Sequence, residues 1–172
     1  YLVLARPVHR ITFLLGKFTG MLIVLSAAFV LLSLAWIVVL KISAVQITAL
    51  HIWAMGFIFG EWILLSAFSL FFATFTSPLL HNFFLVGVAF LGHWSQVMRA
   101  LVENVPSAGA KLLFNLIYHL LPNLEALNFR TAALYQEPVE AVIFINAFVV
   151  LLLWIISALI GANLIFMRRR LL

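Results

Sequence analysis

Glu61 is the side chain in this chain best placed to do chemistry, a carboxylate between Gly60 and Trp62 inside a long apolar run. At membrane depth a carboxylate costs about 2.5–3.5 kcal/mol on insertion scales, so it has to face other helices, take up a proton or find a partner. If its helix starts near His51, Glu61 lies about 15 Å along it at 1.5 Å per residue, close to the midplane of a bilayer. Two roles fit that position: a substrate-pathway or proton-sensitive group, and a structural hydrogen bond to a neighbouring helix. His93, Arg99 and Glu103 form a second polar group further along. Arg99 and Glu103 are four residues apart and can pair along one helix face, although the Glu-first order is the better one. His93 alone reads as a hydrogen-bonded packing residue or as a further lining group of the same pathway. His51, His81 and His119 are scattered, with no His-Glu-x-x-His and no two histidines at helical ligand spacing, so no metal site is expected. The sequence has no cysteine, which excludes disulfides, thiolate metal sites and cysteine nucleophiles. It also has no Gly-x-x-x-x-Gly-Lys-Ser/Thr: Gly16-Lys17 is followed by Phe18 and leads into an apolar run, so this chain is expected neither to bind nor to hydrolyse ATP.

The elements that must position these groups are membrane helices. Hydrophobic residues make up 66% of the 172 and charged ones only 9%, far outside the range of soluble domains. One all-α membrane domain is expected, a polytopic transmembrane helix bundle with spans over 18–40, 47–75, 79–103 and 139–167, each of the roughly 20 apolar residues that a crossing needs. Thr76-Ser77-Pro78 breaks the pattern between the second and third spans. Residues 104–138 are expected as an external loop with short helices. Within it the stripe Leu112, Leu113, Leu116, Ile117, Leu120 and Leu121 suits an interfacial or re-entrant helix, which Pro122-Asn123 stops.

Six of the ten Lys and Arg sit at the two ends, Arg6, Arg10 and Lys17 and then Arg168, Arg169 and Arg170. The positive-inside rule puts both ends in the cytoplasm, which explains the net charge of +5 without nucleic acid as a partner. Four spans between two cytoplasmic ends also place the Thr76–Pro78 turn inside and the 104–138 loop outside. The lipid bilayer is the first partner of such a chain.

Pro7 suits the first turn of a helix, and from there Val8, Ile11, Leu14 and Leu15 recur at helical spacing, with Arg6, His9, Arg10 and Lys17 carrying charge on or near the other side. Residues 1–17 are therefore expected as an amphipathic helix along the membrane surface. Arg-Pro-Val-x-Arg-x-x-Phe-Leu-Leu-Gly-Lys-Phe, from Arg6 to Phe18, resembles the cytoplasmic loop before the third span of ABC-2 type transporter permeases, a coupling helix that docks on a separate ATPase subunit. Phe71-Phe72-Ala73-Thr74-Phe75-Thr76-Ser77-Pro78 is similar to the turn between the fourth and fifth spans of that family. The Tyr118-to-Leu124 segment, with Pro122-Asn123-Leu124, is similar to its Tyr-x-x-x-Pro-Asn-Leu element before the last span, in the branch of the nitrous oxide reductase maturation and gliding-motility permeases. These motifs run in family order and cover the chain nearly end to end.

The resemblance implies a permease subunit of the cell inner (cytoplasmic) membrane with six spans, of which four are visible here and two would precede Tyr1. It implies coupling to the ATPase through Arg6, Pro7, His9, Arg10 and Lys17. It also implies a nucleotide-binding partner that holds ATP and Mg, a second permease subunit as homo- or heterodimer, no cofactor in this chain, and no enzymatic site of its own. Glu61, His93 and Arg99 are then the candidates for the substrate pathway. Two other readings remain open on the residues: an intramembrane enzyme using Glu61 with His51 or His93, and a non-transporting membrane scaffold whose partner surface is the external region.

Overall fold

The computed structural model describes residues 10–104 and 107–168, apart from the side chains of Arg10, Gln96, Leu101, Glu103, Asn104, Ala108 and Ile117. Among the described residues the regular elements are all helical: α1 (Arg10–Ile42), α2 (Ala49–Ala73), α3 (Pro78–His93), α4 (Ser95–Asn104), α5 (Ala108–Leu120), a 3-10 turn (Glu125–Leu127), α6 (Arg130–Tyr135) and α7 (Ala141–Arg168).

Local chemistry sets the boundaries of α2, the central helix. Thr48 is extended at its start, and its N–H donates to Nδ1 of His51 at 3.2 Å, turning the imidazole back on the first turn. At the far end the hydroxyls of Thr74 and Thr76 donate to the carbonyls of Phe71 and Phe72 at 2.6 and 2.8 Å, drawing off acceptors that the helix end leaves open. Pro78 then stands in the first turn of α3, where it has no N–H to waste. The link is short, so α3 runs back along α2.

Within the apolar helices, hydroxyls return to the preceding turn: Thr19 to the Leu15 carbonyl, Ser66 to Trp62 and Ser157 to Leu153, at 2.9, 2.7 and 2.7 Å. Such back-bonding satisfies a hydroxyl where no water can.

Ring contacts fix how the long helices lie. Phe57 of α2 meets Phe144 near the start of α7, and Phe71 lies against Gly161 near the end of it, so α2 and α7 are parallel. Trp36 of α1 meets His51 while Phe13 stacks on Phe166, so α1 runs opposite to both. Two packed clusters result. One joins Phe57, Leu64 and Phe68 to Leu124, Phe129 and Leu151, and the other joins Leu14 and Phe18 to Ala67, Leu70, Ala158 and Ala162. The outward faces stay apolar: Val24 is 70% exposed, Leu31 69% and Phe83 71%. Among the described residues three helices, α1, α2 and α7, are long and apolar enough to cross a membrane, which together with these faces is compatible with a membrane protein.

Two expected boundaries differ from the structure. No break separates a surface helix from a span at Lys17 and Phe18, because α1 is continuous from Arg10 onward. Leu14 and Phe18, on either side of the expected boundary, are buried in the same cluster, so tertiary packing carries the helix through. The stretch expected as one span over 79–103 is divided at Trp94 into apolar α3 and the more polar α4, and α3 by itself is too short for a crossing. Gly92 and Ser95 flank that kink, and both are held by the returning chain: the Gly92 carbonyl accepts the Leu124 N–H at 3.1 Å, and the Ser95 hydroxyl donates to Oδ1 of Asn123 at 2.6 Å. α4 and α5 pack chiefly on each other as a hairpin closed at this base. Beyond it, residues 122–135 fold back against α2 and α7.

Candidate functional site

Glu61 stands twelve residues from each end of α2, 61 − 49 and 73 − 61, or about 18 Å from either end at 1.5 Å per residue. Its side chain is only 9% exposed. The α2–α3 turn brings His93, the last residue of α3, to the same level, and Oε1 of Glu61 lies 3.2 Å from Nε2 of His93. On the other side Nη2 of Arg130 donates to Oε2 at 3.4 Å. Side chains from three elements, α2, α3 and α6, thus meet on one carboxylate.

Arg130 is delivered by its neighbour. Phe129 is buried with ring centroids 4.6 Å from both Phe57 and Phe144, which anchors the start of α6 between α2 and α7. The turn before it is tied down internally: Asn128 Nδ2 donates to Glu125 Oε1 at 3.1 Å, and the Arg130 N–H donates to Asn128 Oδ1 at 3.3 Å. Above it, Leu124 is fully buried beside Gly92, where an added Cβ would come within 2.7 Å of Leu124 and 2.9 Å of the Pro122 carbonyl oxygen. Only glycine admits that approach.

The hydrogen bonds fix a proton inventory. Nδ1 of His93 is 2.9 Å from the Ala89 carbonyl, which can only accept, so Nδ1 carries a hydrogen. Nε2 faces a carboxylate oxygen, so that contact is a hydrogen bond only when a further proton sits on Nε2 or on Glu61 itself. With Glu125 close by and Arg130 opposite, the four side chains sum to zero formal charge when His93 is an imidazolium. The cluster pins the end of α3 and the start of α6 to the middle of α2. Access is from the cationic side, since the side chain of Arg130 is 51% exposed and that of His93 31%.

Of the expected site residues, Glu61 and His93 come together. Arg99 is exposed on α4 rather than beside them, and the side chain of Glu103, its expected partner, lies outside the described residues. His51 is buried about 15 Å from Glu61 along α2, occupied at Nδ1 with Thr48, while its Nε2 has no partner among the described residues. Arg6, Pro7 and His9 lie outside the described residues, as does the side chain of Arg10; Lys17 is exposed on α1. Arg130 went unnoticed in the sequence, 69 positions from Glu61 and in a stretch expected as external loop. Its one signal was a lone cation next to an aromatic residue, in a stretch from Leu112 to Gln136 whose other charged residue is Glu125. Among the described residues no three His, Asp or Glu side chains are grouped so as to hold a metal ion. Comparison of the chain with protein-family models, with curated proteins and with solved structures finds no match in any of the three.

Proposed function

We propose that this chain is the membrane-spanning permease subunit of an ABC-2 type transporter, moving a substrate across the cytoplasmic membrane with energy from a separate ATPase subunit. What carries the reading is that the segments suited to face such a subunit lie at one end of the bundle. Phe13 near the start of α1 stacks on Phe166 near the end of α7 with centroids 6.1 Å apart, and Phe71, a few residues before the Thr74–Ser77 turn, packs against Gly161. A single partner surface can therefore touch the start of α1, the turn and the end of α7 together. In this reading that end is cytoplasmic, and α3 and α4 together make a fourth crossing beside α1, α2 and α7. Arg6, Pro7, His9, Arg10 and Lys17 form the docking helix and its continuation. ATP and Mg belong to the partner, and a second permease subunit pairs with this one. The Glu61–His93–Arg130 cluster, at mid-depth and joining three elements, is the natural place for a latch that opens during transport.

The experiment is affinity purification of the full-length chain from a gentle detergent, with identification of what co-purifies and assay of ATP hydrolysis. Recovery of a nucleotide-binding subunit with ATPase activity, lost on Arg6→Glu with Arg10→Glu while the bundle stays folded, is the expected result. Recovery of the folded chain alone, without ATPase activity, would overturn the reading.

The contact at 3.2 Å between Glu61 and His93 also favours a second reading, an intramembrane enzyme using the two as acid and base. In that reading Glu61→Gln abolishes turnover in the purified chain with no ATPase present.

A further inference from the structure

α1 and α3 both pack on α2 but stand apart from each other, leaving a lateral cleft of about 760 Å³ whose lining is almost wholly apolar. Its α1 wall is Gly20, Val24 and Ala28, its floor is Trp62, Leu65 and Ser69 of α2, and Leu85 of α3 stands opposite. Gly20 makes the wall recede, since a Cβ there would meet nothing within 4 Å. At the inner end Trp62 lies edge-on to Phe29, with centroids 5.9 Å apart, and beyond it is a separate cavity of about 260 Å³.

The mouth of the cleft differs in character from its body. Lys17 precedes Gly20 and Met21 by three and four residues, so it belongs to the same face of α1 one turn nearer the basic end, and it is exposed. Across the floor at that level, Ser69 Oγ lies 3.1 Å from Nε2 of His81. From Lys17 to Ala28 is about 16 Å at 1.5 Å per residue, about the depth of one leaflet of a hydrocarbon core roughly 30 Å thick. A long apolar slot one leaflet deep, with a cation and an imidazole at its outer end, matches the shape and charge of one molecular class.

We propose that the cleft between α1 and α3 binds an acyl chain of an anionic amphiphile, with the chain lying from Gly20 to Trp62 and the anionic headgroup held at Lys17 and His81. The site requires no ATPase partner and does not rest on the permease reading.

The test uses the full-length chain in nanodiscs made from equal parts of phosphatidylglycerol and phosphatidylcholine with identical acyl chains, and reads the lipids retained on gentle release by native mass spectrometry. The expected result is at least a tenfold preference for retained phosphatidylglycerol. Lys17→Glu abolishes the preference. Gly20→Phe, whose Cβ would meet nothing within 4 Å and whose ring would occupy the cleft, lowers retention of both lipids at least tenfold, whereas Gly87→Phe on α3, whose Cβ is equally unobstructed but which does not line the cleft, leaves it unchanged. Equal retention of the two lipids, or retention indifferent to Gly20→Phe, overturns the proposal. So does a dimer that Gly20→Phe dissociates, because the cleft would then hold a helix of a second copy.

Discussion

Replacing His93 by Leu should destabilise the protein more than replacing Glu61 and His93 together. The contacts of Glu61 at 3.2 and 3.4 Å are longer than the 2.7–2.9 Å of good charge-assisted bonds, so each belongs toward the lower part of the range of about 1.5–3 kcal/mol for hydrogen bonds to charged groups. His93→Leu removes one of them and strands Oε1 in a side chain only 9% exposed, for a total cost of about 2–3 kcal/mol. Glu61→Leu instead leaves behind Arg130 and His93, which at 51% and 31% exposed are not stranded in the packed interior as Oε1 is, at a cost of about 1 kcal/mol. In the double variant no buried charge is left unpaired, and the cost stays at about 1 kcal/mol, since an ion pair replaced by apolar side chains is often close to neutral. The double variant is therefore expected to be more stable than His93→Leu by about 1.4 kcal/mol, or about tenfold in the folding equilibrium. Reversible unfolding in mixed micelles, followed by tryptophan fluorescence as denaturing detergent is added, measures all three against the parent chain. Additive costs, with the double variant the least stable of the set, would refute the claim that Glu61 is held as a buried partner of His93.

Two other outcomes follow from the same packing. Gly92→Ala is expected to cost about 1–3 kcal/mol as an overpacked position, because the new Cβ would meet the Pro122 carbonyl oxygen, which is backbone, at 2.9 Å; in a Leu124→Ala background, itself lower by about 2–5 kcal/mol for the buried side chain it loses, the same change should cost less because the side-chain clash is gone, measured by the same unfolding titration. Asn123→Leu removes the acceptor of the Ser95 hydroxyl and of the Ala126 N–H, two bonds of about 0.5–1.5 kcal/mol each, so amide hydrogen exchange should rise within 122–128 while the centres of α1, α2 and α7 keep their protection.

The sequence by itself determined what depends on near neighbours and on solvent. Long apolar runs with few charges commit α1, α2 and α7 to helix, because a backbone inside hydrocarbon must satisfy its own hydrogen bonds. Thr48 and the Thr74–Pro78 sequence mark the ends of α2 by side-chain and ring chemistry within four residues of the backbone they act on. Glu61 stood out because a carboxylate in that setting has to be answered by something. Which groups answer it was decided only by the tertiary structure: His93 arrives because α3 ends at the level of Glu61, and Arg130 because Phe129 is anchored between Phe57 and Phe144. The continuity of α1 past Lys17 and the kink at Trp94 have the same origin, since burial of Leu14 and Phe18 and the return of Leu124 to Gly92 are contacts between distant parts of the chain. The cleft is the clearest case. Its walls on α1 and α3 read in sequence as ordinary lipid-facing surface, and they enclose a space because both helices pack chiefly on α2 rather than on each other.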